Sequence, residues 1–79
     1  MPKPFILPPE AVWPYVFVAP SISMQITSLS PRSQDRREAE GTFPRAVKLG
    51  EGRRKARVLQ EIIDWNRARI AERDGEAAS

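Results

Sequence analysis

The sequence has no cysteine and no histidine. Without cysteine there is no disulfide, no thiolate–metal cluster and no thiol nucleophile. Without histidine, the commonest general base and the commonest neutral metal ligand are gone. Both absences argue against a hydrolase or a zinc site, and no cofactor is expected. Long hydrophobic runs are missing too. The apolar stretch "AVWPYVFVAP" covers only residues 11–20 and is broken by Pro14, whereas a membrane-crossing helix needs about 20 apolar residues. Five prolines before residue 15 are also incompatible with the uninterrupted apolar core of a signal peptide. The expectation is a soluble cytoplasmic chain with no membrane partner.

What is present is small, basic in places and rich in proline. Seventy-nine residues make one small domain, which buries only about 60% of the surface its unfolded chain exposes. The net charge is +3, but its distribution says more. Residues 1–29 hold only Lys3 and Glu10. Residues 45–57 hold Arg45, Lys48, Arg53, Arg54, Lys55 and Arg57 against Glu51 alone. A local basic excess of this kind is the usual electrostatic footprint of nucleic-acid binding.

Six of the eight prolines fall in residues 1–20. Proline lacks an N–H and fixes φ, so this segment reads as an extended, apolar arm. "YVFVA" (15–19) has the β propensity of a short strand. Trp13, Tyr15 and Phe17 can cover the domain's own core or pack on a neighbouring protomer, because a contiguous exposed apolar patch marks an interaction site. "SISMQITS" (21–28) follows Pro20 and reads as a short helix, although its nearly alternating apolar residues leave a strand open.

Ser30 then caps a second helix, with Pro31 suited to its first position. This helix runs to about Glu40 and ends at Gly41 and Pro44, with Phe43 as an anchor just beyond. Two short helices across a tight turn make a helix-turn-helix. "RAVKLG" and "RRKARV" flank the flexible tip "GEG" (50–52) and read as a basic hairpin. Residues 59–74 carry Leu59, Ile62, Ile63 and Ile70 at helical spacing, with Trp65 beside them. They read as a core-closing helix, and residues 75–79 as a flexible tail.

The expected fold is therefore α+β and mainly helical. It is a small winged helix-turn-helix over 21–74 with a basic β-hairpin wing and an extended Pro-rich N-terminal arm over 1–20. In such a fold the second helix lies in the DNA major groove. Arginine bonds bidentately to guanine, and glutamine to adenine. Ser30, Arg32, Ser33, Gln34, Arg36 and Arg37 are the candidate readers, and Lys48, Arg53, Arg54 and Lys55 the candidate wing contacts. Asp35 would repel phosphate, so it faces away or pairs with an arginine. Gln34 is either a base reader or a soft spot in the core. A solvated charged hairpin is the plainer alternative for the wing.

The segment "LSPRSQDRREAEGTFPRAVKLG" followed by "ARVLQEIIDW" resembles the AlpA-like and excisionase group of small winged helix-turn-helix proteins of prophages and integrative elements. Leu29, Ser30, Arg36, Gly41, Phe43, Pro44, Val47, Leu49, Ile62 and Trp65 carry the likeness, which spans roughly residues 21–70. Two positions depart from it. Gln34 stands where that group usually has Leu or Ile, and Arg57 near the place of a frequent aromatic. The resemblance implies no enzyme. It implies an excisionase, or recombination directionality factor, that binds repeated double-stranded sites beside an attachment site. Such a protein bends the DNA, self-associates along it and helps a partner integrase excise the element, in a bacterial cytoplasm on the nucleoid. An AlpA-type transcriptional regulator is the alternative, and a protein-interaction adaptor using the apolar arm is a second. Glu38, Glu40, Glu61 and Asp64 read as solvated helix faces, and no small-molecule substrate is expected.

Overall fold

The computed structural model describes residues 5–78, and side chains as far as residue 75. Helix α1 spans Pro20–Thr27, α2 Pro31–Ala39 and α3 Leu59–Ala78. Strand β1 is Phe17–Val18, β2 Val47–Lys48 and β3 Lys55–Val58. The result is an α+β domain with one antiparallel sheet in the order β1-β3-β2.

The N-terminal segment differs from an extended arm. Glu10–Tyr15 coils into a 3-10 helix, which accommodates Pro14 because so short a turn leaves few N–H groups to bond. Trp13 is buried there and donates its indole N–H to the Pro8 carbonyl at 2.7 Å. The chain then straightens, and β1 pairs with β3 through Phe17↔Val58 and Val18↔Arg57. Trp13, Val18 and Leu59 form one core cluster, with Val16, Ile22, Ile26 and Ile63 packed against it. The arm thus supplies one of the three strands of its own domain's sheet. Residues 1–4 of the expected arm lie outside the described residues.

At the other end, α3 continues to Ala78 instead of fraying at residue 75. Residue 79 lies outside the described residues. Leu59 and Ile62 are fully buried, but Ile70 is half exposed, so the expected apolar stripe ends before it. Trp65 closes the lower part of the helix on the domain. Its indole donates to the Thr42 carbonyl at 2.8 Å, and its ring meets buried Phe43 edge-on at 5.1 Å.

The turn between α1 and α2 is built from short polar side chains. Ser28 caps α1 in the left-handed conformation, φ 64°, and its N–H donates to the Met24 carbonyl. Ser30 Oγ accepts the Ser33 N–H at 3.2 Å, capping α2 as the sequence implies. At the far end Gly41 has φ 79°, a conformation open to residues without Cβ. Its N–H reaches Glu38 O while that of Thr42 reaches Arg37 O. These two bonds are the Schellman closure.

The remaining core is polar. Arg57, on β3, is 1% exposed. Its Nε donates to Gln34 Oε1 at 3.0 Å, Nη1 to the Pro44 carbonyl at 2.6 Å and Nη2 to Asp35 Oδ1 at 3.2 Å. Glu38 Oε1 lies 3.5 Å from Nη1, and the guanidinium stacks 4.9 Å over the Phe43 ring. Gln34 is fully buried, and its amide donates to the carbonyls of Pro20 and Leu29. It therefore joins α2 to the start of α1, to the turn and to β3. Burying a charge is tolerable only when it is paired and hydrogen-bonded, and Arg57 meets that condition on every side.

Removing one member of such a buried set leaves the others unpaired, at about 3–5 kcal/mol. Arg57→Ala is expected to lower unfolding free energy by that amount. Gln34→Leu with Arg57→Met should be more stable than Arg57→Ala and than Gln34→Leu alone, since neither member is then left without the other. Urea titrations followed by circular dichroism of these three variants and the native protein rank the four stabilities.

Candidate nucleic-acid interface

The sequence of α2 is almost without apolar residues, and the fold sorts its charges by direction. At 100° per residue, Arg32 and Arg36 lie about 160° from buried Gln34, at the centre of the solvent face. Both are exposed, Ser33 is partly so, and these three line one shallow depression with Ser30. The depression sits at the first turn of the helix, where unbonded N–H groups and the positive end of the dipole favour an anion.

The acids of α2 point elsewhere. Asp35 accepts from Lys55 Nζ at 2.6 Å and from Arg57. Glu38 accepts the Ala46 N–H and neighbours Arg57. Both are thus neutralised by residues of the hairpin and its approach, and neither is paired with Arg32 or Arg36. The same contacts lay the hairpin alongside α2 on its Asp35 side.

The hairpin itself is β2 paired with β3 through Val47↔Ala56 and Lys48↔Lys55. Leu49 N–H donates to the Arg54 carbonyl at 3.0 Å, and the tip turns through Gly50 and Gly52, both with positive φ. Arg53 and Arg54 are exposed beside the tip, and Lys48 is exposed on β2.

Several sequence expectations change here. Gln34 is neither a base reader nor a soft spot, because every polar atom of its amide is engaged inside the core. Arg37 is half-buried, and its Nε is buried without a hydrogen-bond partner among the described residues, so it is not an open contact like Arg36. Lys55 belongs to β3 and is held by Asp35 instead of standing free at the tip. Trp13 is a core residue and offers nothing to a second protomer, whereas Tyr15 is 83% exposed and Phe17 half exposed. Ser30, Arg32, Ser33, Arg36, Lys48, Arg53 and Arg54 keep the accessibility that the sequence implies. No sequence signal marks the burial of Arg57, because adjacent Ala56 and Arg57 are both buried where alternation would expose one of them.

Among the described residues no helix is long and apolar enough to cross a membrane, and no group of three or more His, Cys, Asp or Glu is placed to hold a metal ion. Losing the Ser30 hydroxyl uncaps the helix that presents Arg32 and Arg36. Ser30→Ala should cost about 1 kcal/mol, read as a lowered melting temperature, and Ser30→Asp should restore it. Compared with family models, curated proteins and solved structures, the chain matches none.

Proposed function

We propose that this protein binds double-stranded DNA through α2 and the hairpin, as a small winged helix-turn-helix. The observation that carries the reading is the directional sorting of charge on α2. Arg32 and Arg36 stand open on the solvent face of the helix, while Asp35 and Glu38 are drawn to cations of the hairpin side. In this reading α2 enters the major groove, where arginine forks onto guanine O6 and N7. Ser30 and Ser33 meet a phosphate at the helix N-terminus. Arg53 and Arg54 clamp phosphates or enter the minor groove beside it, with Lys48 close behind.

Within DNA binding, the best-supported role is that of an excisionase. The support is the excisionase-like residue pattern and the size of the module, since one domain of this kind contacts few base pairs and gains useful affinity by binding cooperatively. Tyr15 and Phe17 are the exposed aromatics for contact with the next copy along the DNA. The protein bends a repeated site and assists an integrase without catalysing strand exchange itself. A transcriptional regulator would use the same surface on a different arrangement of sites.

Selection from a random-sequence duplex pool, followed by footprinting, tests both levels. Retention of no DNA overturns the reading. Several direct repeats abutting an integrase core site support excision, and dependence of integrase-mediated excision on the added protein completes the case. A lone promoter operator supports the regulator instead. Arg36→Ala is expected to weaken specific binding by about tenfold to a hundredfold, as for the loss of a bidentate base contact. Arg53→Ala with Arg54→Ala should weaken binding to all sequences and flatten log K against log salt by about 0.9 per lost phosphate contact. Phe17→Glu should lower cooperativity on repeated sites more than affinity for one site. Equal losses in both would remove the arm from the assembly.

A further inference from the structure

An acidic side chain beside a DNA-facing arginine pair is an electrostatic liability, and Asp35 is half exposed there. Its surroundings give it a purpose. One oxygen, Oδ1, accepts from both Lys55 and Arg57. Arg57 is immobilised in the core by Gln34, Pro44 and Phe43, so it fixes Asp35 in place. Lys55 is the first residue of β3, two residues past Arg53, and it pairs across the hairpin with Lys48. Like charges directly opposite destabilise a strand pair, and Arg53 and Arg54 add to the repulsion. Asp35 supplies the only acid that the described residues bring to Lys55 within salt-bridge distance.

We propose that Asp35 is a positioning residue that locks the hairpin tip to the recognition helix, so that helix and wing read one fixed spacing of DNA. The proposal rests on the DNA-binding reading above. Its chemistry is a charge-assisted bridge between a core-anchored carboxylate and the tip-proximal end of β3. The bridge lowers affinity for any duplex by retaining a negative charge near phosphate. In return it restricts the angles at which Arg53 and Arg54 meet the backbone, which penalises sequences whose groove does not suit that angle.

The test compares a duplex selected by the native protein with a scrambled duplex of equal length. Asp35→Asn removes one negative charge, so binding to the scrambled duplex should tighten and its salt slope steepen by about one unit. The ratio of specific to non-specific affinity should nevertheless fall about tenfold, and hydroxyl-radical protection should fade at the wing flank while persisting over the α2 half-site. Lys55→Gln leaves every hydrogen bond of Arg57 intact and should lower the same ratio and blur the same flank. In the Asp35→Asn background it should add little further. If both affinities rise by one common factor in Asp35→Asn, the carboxylate merely repels DNA and the proposal is overturned. Additive effects of the two substitutions on the ratio would overturn it too. If the native protein selects no duplex at all, the DNA-binding reading itself has failed, a result distinct from either of these.

Discussion

The buried guanidinium of Arg57 is the constraint around which the rest of this domain is arranged. A cation at 1% exposure has surrendered nearly all its hydration, and only close, well-directed acceptors make that tolerable. Those acceptors come from two stretches of chain: Gln34, Asp35 and, within 3.5 Å, Glu38 on α2, and Pro44 in the loop beyond it. A guanidinium suits the place because its planar fork offers several donors at fixed angles and still stacks on an aromatic, here Phe43. A lysine ammonium, a single hydrated point charge, could not reach the same spread of acceptors. Each acceptor is directional, so α2 is held at one angle and one axial position against β3.

That arrangement explains how a helix almost without apolar residues is kept on a small domain. Helices usually dock by an apolar stripe, and the hydrophobic effect that drives such docking is non-directional. Helix α2 docks by hydrogen bonds: Gln34 alone reaches α1, the turn and β3. The polar docking face and the polar solvent face then look alike in sequence. They differ only in what each side chain finds opposite it. The acids find cations of the hairpin, and Arg32 and Arg36 find solvent. Gln34 and Arg57, 23 positions apart in sequence, are the two halves of one buried contact.

Local chemistry was therefore readable and long-range chemistry was not. Ser30 and Pro31 mark the start of α2 and Gly41 its end because capping and left-handed closure are decided within a few residues. The β propensity of residues 15–19 and the alternation around the tip likewise place β1, β2 and β3 where they form. The proline count misled about Trp13, since a 3-10 turn tolerates Pro14 and brings the indole onto Leu59 and α3. Helical spacing also misled about Ile70, because a period says which face a residue shares and not where the neighbouring elements stop. Gln34 and Arg57 carry no period at all. A buried polar pair is visible only once both strands of chain are in place, which is why the candidate interface loses Gln34 and relinquishes Lys55 to Asp35.

The division between buried and open charge also separates what salt does to this molecule. Arg57 and Gln34 are buried away from the solvent ions that screen exposed charges, whereas Arg32, Arg36, Arg53 and Arg54 meet them directly. The exposed pairs of α3, such as Arg69–Glu72 and Arg73–Asp74, contribute little to stability, so losing them to screening changes little. Raising salt through the physiological range should therefore release an anionic partner while leaving the fold nearly untouched. A domain held by an apolar stripe would share that insensitivity, but it would not fix the angle of α2 in the same way. Directional polar anchoring makes the exposed arginines a rigid pattern, and a rigid pattern can discriminate among surfaces that carry the same charge.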